Sequence, residues 1–94
     1  MAYKKAKAEF TEFKMGENWC SGICEGTEFH AKLFDVGSTF GINDGRVSKL
    51  SIHSETLGTV CNYDRGWDVP PKRGFQRQYN SIMRLLENAP KRFS

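Results

Sequence analysis

No apolar run in this chain approaches the roughly 18 residues that a membrane helix requires, so no spanning segment is expected. The opening Met1-Ala2-Tyr3-Lys4-Lys5-Ala6-Lys7 is charged but lacks the apolar stretch of a secretory signal, and a cytoplasmic setting is the expectation. Cysteine is scarce and odd in number, at three, which in a reducing compartment points to free thiols. Histidine is scarcer, at two. Cys20 and Cys24 fall in an extended run, where four residues span roughly 13 Å. Two sulfurs that far apart cannot share a zinc ion with bonds of about 2.3 Å. His30 and His53 do not mend the spacing, so neither metal nor cofactor is expected. Hydrophobic residues make up only 38% of 94 positions, which leaves material for one core and excludes a deep enzyme cavity. The chain 1–94 is expected to be a single domain without repeats, low-complexity tracts or linkers.

Charge is present in quantity but is unevenly placed. Residues 1–8 carry +3, 9–35 carry −4, 36–64 carry −1 and 65–94 carry +5, for a net charge of +3. Basic ends around an acidic middle suggest an anionic partner, although an arginine-bearing, solvated helix accounts for the C-terminal excess more simply. Residues 1–7 read as a flexible basic segment.

Two stretches alternate as hairpins. In 19–34, Trp19-Cys20-Ser21-Gly22-Ile23-Cys24 and Phe29-His30-Ala31-Lys32-Leu33-Phe34 flank Glu25-Gly26-Thr27. Paired across a three-residue loop, Ile23 meets Phe29, Ser21 meets Ala31 and Trp19 meets Leu33, and that face is expected to be buried. The other face then holds Cys20, Gly22, Cys24, Glu28, His30 and Lys32. In 46–65, the strand from Arg46 to His53 precedes that from Val60 to Arg65. Ile52 opposite Cys61 sets Leu50 opposite Tyr63 on an apolar face, and Lys49 opposite Asp64 on the outer one. Residues 8–15 add an edge strand in a weaker pattern, since simple alternation points Phe10 and Phe13 to opposite faces.

Pro70-Pro71 ends the extended region and a helix is expected over 75–89. Phe75, Tyr79, Ile82 and Leu86 recur at helical spacing, while Arg73, Arg77 and Arg84 fall on the opposite side. Pro90 stops it. The fold class is α+β: an antiparallel sheet of two hairpins, with a possible fifth N-terminal edge strand, covered on one face by a C-terminal helix.

Glycine gathers in Gly37-Ser38-Thr39-Phe40-Gly41-Ile42-Asn43-Asp44-Gly45-Arg46. This stretch lacks the Gly-Lys-Ser/Thr ending of a phosphate loop and the acidic spacing of a calcium loop. It reads as a connection between hairpins, yet its amides with Ser38, Thr39 and Arg46 can together cradle an anion. In Asn62-Tyr63-Asp64-Arg65-Gly66-Trp67-Asp68, Gly66 breaks the strand, so that Arg65 and Trp67 project together. An arginine beside an aromatic offers a base a stacking surface and its phosphate a bidentate donor. The competing reading packs Trp67 under the helix and pairs Arg65 with Asp68. Catalysis lacks support. Cys61 and His53 fall on opposite faces, and Cys20 or Cys24 beside His30 has no orienting acid.

The strings Trp19-Cys20-Ser21-Gly22, Ser38-Thr39-Phe40-Gly41-Ile42-Asn43-Asp44-Gly45-Arg46-Val47-Ser48-Lys49-Leu50 and Asn62-Tyr63-Asp64-Arg65-Gly66-Trp67-Asp68 resemble the signature of a family of small bacterial, phage and prophage proteins, a domain of unknown function. The resemblance covers roughly residues 19–70 and leaves out the basic N-terminus and the helix. It implies a setting in the cytoplasm of a bacterial host cell and transfers no catalytic residue. A small phage-borne protein without catalytic machinery is often an inhibitor of host defence.

Three functions follow, none enzymatic. The first, which is preferred, sequesters a nucleotide-like anion with Ser38, Thr39, Arg46, Arg65 and Trp67, at the interface of a homo-oligomer because one small sheet offers little concavity. The second blocks a host protein through an outer sheet face bearing His30, Lys32 and Lys49. The third binds nucleic acid through the basic termini and the arginine stripe, for which a net charge of +3 is modest and no known recognition motif is present.

Overall fold

A computed structural model of the protein describes residues 7–13 and 17–90. Strands β1 (Ala8–Phe13), β2 (Trp19–Cys24), β3 (Thr27–Leu33), β4 (Val47–Ser54), β5 (Gly58–Asp64) and β6 (Trp67–Val69) are followed by helix α1 (Gln76–Glu87). The sheet order is β1-β2-β3-β4-β5-β6 with every neighbour antiparallel, so the chain forms one open six-stranded meander in an α+β arrangement. The two expected hairpins are therefore sections of a continuous sheet. They are joined where β3 pairs with β4, from Thr27↔Ser54 to Leu33↔Val47. Strand β6, which the sequence pattern did not announce, extends the sheet beyond β5. Residues 1–6 of the basic N-terminal segment lie outside the described residues.

The second hairpin has the expected register, with Lys49↔Asp64, Leu50↔Tyr63 and Ile52↔Cys61. The first is displaced by one residue, with Trp19↔Lys32, Cys20↔Ala31, Gly22↔Phe29 and Cys24↔Thr27. Turn length is the reason. Glu25 and Gly26 both adopt left-handed backbone (φ 37° and 77°), which makes a two-residue hairpin turn and brings Thr27 into the strand. Cys20, Gly22 and Cys24 then face the core with Phe29, Ala31 and Leu33. Trp19, Ser21 and Ile23 face outward, and Ile23, expected inside, is exposed. Gly22 fits this face because it has no side chain. A Cβ there would run into the Phe29 ring and the Glu9 carbonyl.

Strand β1 occupies the edge, as the 8–15 pattern proposed, although 14–16 lie outside the described residues. Its register shifts between Phe10 and Glu12, where an extra residue reverses the alternation. Phe10 and Phe13 consequently meet edge to face at 5.0 Å instead of parting, and Phe10 also reaches the Phe29 ring at 6.2 Å.

The core is one cluster. Phe29, Leu33, Leu50, Ile52, Val60 and Cys61 from the sheet join Ile82 and Leu86 from α1, with Phe75, Tyr79 and Met83 packed at its margin. The helix thus adds the apolar side that its spacing predicted, while Arg77 and Arg84 stay exposed. Its C-terminus is held by Arg46. The guanidinium donates from Nη1 to the carbonyls of Glu87 (3.0 Å) and Ala89 (2.7 Å) and from Nε to that of Phe34 (2.7 Å). The Arg46 amide in return donates to the Glu87 carboxylate (2.9 Å). A cation at the carbonyl end of a helix satisfies groups that no helical N–H can reach.

Candidate functional site

The β3–β4 connection is built on close backbone approaches. Ser38 N–H donates to the Gly45 carbonyl (3.2 Å), Gly41 N–H to that of Ser38 (3.0 Å), and the Tyr63 hydroxyl to that of Phe40 (2.9 Å). Gly45 lies against Glu87, whose carboxylate would collide with any Cβ at that position. The glycines therefore close the connection against itself and against the helix end. This folding leaves Phe34, Val36 and Phe40 at 37%, 66% and 57% exposure, a local concentration of apolar surface that a solvated loop has no structural need for.

Those side chains form one wall of a cleft of about 490 Å³ at the corner of the outer sheet face. The rest of the lining is Lys32, Gly37, Ser38, Ser48, Lys49 and Arg65, which amounts to three cations and no carboxylate among the described residues. Lys32 and Lys49 are directly opposed on paired strands, an arrangement that costs stability through like-charge repulsion. Lys32 Nζ sits 5.7 Å from the Phe34 ring centroid, a cation–π distance. Beside the lining, in the same outer-face row as Lys49, exposed Asp64 meets Lys49 at 3.6 Å and Arg65 at 3.8 Å. Both pairs are solvated, so their hold on the cations is worth little and yields readily to an incoming anion.

Arg65 is positioned by an unusual backbone. It adopts φ 56° without being glycine, while its amide donates to the Ser48 carbonyl at 3.0 Å. For a residue with a Cβ this left-handed conformation costs about 1–2 kcal/mol.

The residues proposed from sequence for an anion site divide among four places. Ser38 and Arg65 line the cleft; Thr39 is exposed but outside the lining. Arg46 is engaged with the helix end and with Phe34. Trp67 lies toward the helix, its ring 5.0 Å from Tyr63 and 5.9 Å from Tyr79, because pairing with the inward Tyr63 sets its indole on that side. Arg65 and Trp67 are thus parted. Asp68 accepts from Asn62 Nδ2 at 3.1 Å, and the nearby carboxylate that Arg65 meets is Asp64. Of the outer-face trio, Lys32 and Lys49 line the cleft, and His30 lies further along the sheet with Nδ1 2.8 Å from Ser21 Oγ. The sequence reading passed over Phe34, Val36 and Phe40. Their signal was apolar residues in a segment too glycine-rich to be strand or helix.

The thiols sit elsewhere. All three cysteines are free and buried, and Cys20 and Cys24 face the core, away from His30 and not beside it as the slipped register implied. Burial pushes the Cys61 thiol up to about 12, and burial with the neighbouring Glu25 charge raises Cys24 against a smaller lowering by Arg77. Protonated, inaccessible thiols make poor nucleophiles and poor metal ligands. Among the described residues no group of three or more His, Cys, Asp or Glu side chains lies together, and no helix is long and apolar enough to cross a membrane.

No curated protein and no solved structure matches the chain. A family model does match, over residues 18–87, which takes in the whole of α1 as well as the motif-bearing strands. The helix that the motif resemblance left aside therefore lies within the matched region, and the chain belongs to the family described as Domain of unknown function (DUF7678).

Proposed function

We propose that this protein is a non-catalytic binding protein that sequesters a nucleotide-like anion in the cleft between the β3–β4 connection and the β5–β6 turn. The observation that carries this reading is the convergence of Lys32, Lys49 and Arg65 on a lining without carboxylates, beside exposed Phe34, Val36 and Phe40. Cations recognise the phosphate, the guanidinium through paired N–H donors. The aromatic wall takes the planar base. Buried, protonated thiols support a binding role over a covalent one. Ile82 and Leu86 of α1 are buried in the core cluster, and no α1 residue lines the cleft. A homo-oligomer in which a second copy closes over this open cleft belongs to the same reading. A phage-borne inhibitor of host defence, working by sequestration, is the setting this reading fits.

Calorimetry with a panel of nucleotides and inorganic phosphate tests it. Wild type is expected to bind a nucleotide more tightly than phosphate. Arg65→Ala should weaken that binding by roughly tenfold or more, the worth of one charge-assisted contact. Arg77→Ala, whose guanidinium pairs with Glu25 at 3.3 Å away from the cleft, should leave it unchanged. No heat from any nucleotide, together with a host protein that co-purifies and is released by Lys32→Glu or Lys49→Glu, would replace this reading with the protein-blocking one.

A further inference from the structure

The cleft does not end at Lys49. That residue also lines a shallow hollow of about 100 Å³ with Trp19, His30, Ser51, Asn62 and its ion-pair partner Asp64. Trp19 and His30 in turn line a further hollow of about 530 Å³ beside Ser21 and Glu12. Strand pairing explains the continuity. Trp19, Lys32, Lys49 and Asp64 are successive partners across β2, β3, β4 and β5, so they form one row on the outer face. Neighbouring strands lie about 4.8 Å apart, which puts Trp19 roughly 10 Å from Lys49. An aromatic surface therefore stands on each side of the lysine pair: Phe34 and Phe40 at one end, Trp19 with His30 at the other.

Charge fixes what each part can hold. Lys32, Lys49 and Arg65 cluster in the middle and at the Phe34 end, where the one carboxylate, Asp64, is shared between Lys49 and Arg65 in solvated pairs, whereas the Trp19 end has Glu12 and no Lys or Arg in its lining. A phosphate is attracted to the first region and repelled from the second. A neutral base suits the Trp19 end, where the indole supplies a stacking surface. Trp19 is 37% exposed although it belongs to a strand rather than a loop, so its ring is available without rearrangement.

We propose that the outer face takes a phosphodiester-linked pair of nucleotides, with the linking phosphate at Lys32 and Lys49, one base against Phe34 and Phe40, and the second on Trp19 and His30. This rests on the anion-binding reading of the cleft and extends it to a second base. The same chemistry is offered by a free dinucleotide and by a segment of single-stranded nucleic acid.

Calorimetry at fixed ionic strength compares the common nucleoside monophosphates, the matching dinucleoside monophosphates and a single-stranded oligonucleotide. A dinucleoside monophosphate carries less charge than a mononucleotide, so tighter binding of it reports the second base. The expected gain is about tenfold or more, the usual worth of one base stacked on an aromatic side chain. Trp19→Ala should erase the gain and leave mononucleotide affinity unchanged, and Trp19→Phe should restore most of it. Thermal melts confirm that the exposed substitution leaves the fold intact. An oligonucleotide that binds more tightly still, with a steep salt dependence, identifies the strand as the source. One that binds no better identifies the free dinucleotide. Equal affinities for one base and two, or a gain that survives Trp19→Ala, overturns the second-base assignment while the cleft reading stands. Absence of binding by every compound overturns both.

Discussion

Arg65 holds a backbone conformation that glycine would hold without cost, and what this gives the protein is a guanidinium at the mouth of the cleft. Asn18, Glu25, Asn43 and Asp44 share this conformation at other turns, but Arg65 is the one among them that carries a cation into the cleft lining, which points to use of its side chain. The two effects separate in Arg65→Gly. Relief of the left-handed conformation, offset by the greater freedom of glycine in the unfolded chain, should leave the variant between unchanged and about 1 kcal/mol more stable in denaturant melts. Nucleotide binding should nevertheless fall. Greatly reduced stability would show that Arg65 holds the turn together instead. Arg46 is the contrasting case, because its bonds to Phe34, Glu87 and Ala89 account for its place in the motif in structural terms. Its role was hidden in the sequence by the 41 residues that separate it from Glu87.

The opposed lysines of β3 and β4 raise the same question for a pair of strands. Like charges facing each other weaken a sheet, and an opposite-charge pair in their place strengthens it by roughly 0.2–1 kcal/mol. Lys32→Glu should therefore unfold at equal or higher denaturant concentration than wild type, despite losing the contact with Phe34, while it abolishes anion binding. Destabilisation would argue that the Lys32–Phe34 contact matters more to the sheet than the repulsion does. This level is also where the sequence was read with uneven success. The β4–β5 register was legible because Leu50, Ile52, Cys61 and Tyr63 are apolar on one face while Lys49 and Asp64 are charged on the other. In β2 both faces carry apolar residues, Trp19 and Ile23 against Cys20 and Cys24, so alternation does not choose between them. The choice is made by the left-handed pair Glu25-Gly26. Parity was likewise inverted in β1 by its irregularity at Thr11, which no alternating pattern discloses. For the site, Lys32, Lys49, Ser38 and Arg65 were legible as chemistry. Their meeting in one cleft depends on how the β3–β4 connection folds back, and that was not.

For the molecule as a whole, one core carries the stability, and buried ionisable groups tie that stability to pH. Cys61 is raised by burial from about 9 to about 12, and Cys24 and Tyr79 are displaced in the same direction, chiefly by burial. Below pH 9 these groups are protonated whether the chain is folded or not. Above it the unfolded chain releases protons that the folded chain retains, so stability should decline as pH rises from about 9 towards 12. Thermal melts between pH 8 and 11 check this. A falling midpoint that flattens in Cys61→Ala is expected, and a wild-type midpoint independent of pH would contradict the assignment.

The central claim is that the cleft, and not the Trp67 side of the sheet, holds a nucleotide-like anion. The most direct measurement is a two-dimensional amide NMR titration with the common nucleoside monophosphates in turn. The account predicts saturating shifts at Lys32, Phe34, Ser38, Phe40, Lys49 and Arg65, with the Trp67 indole and the helix amides from Gln76 to Glu87 unmoved. Shifts centred on Trp67 and Tyr79, or a spectrum that no nucleotide perturbs, would contradict it.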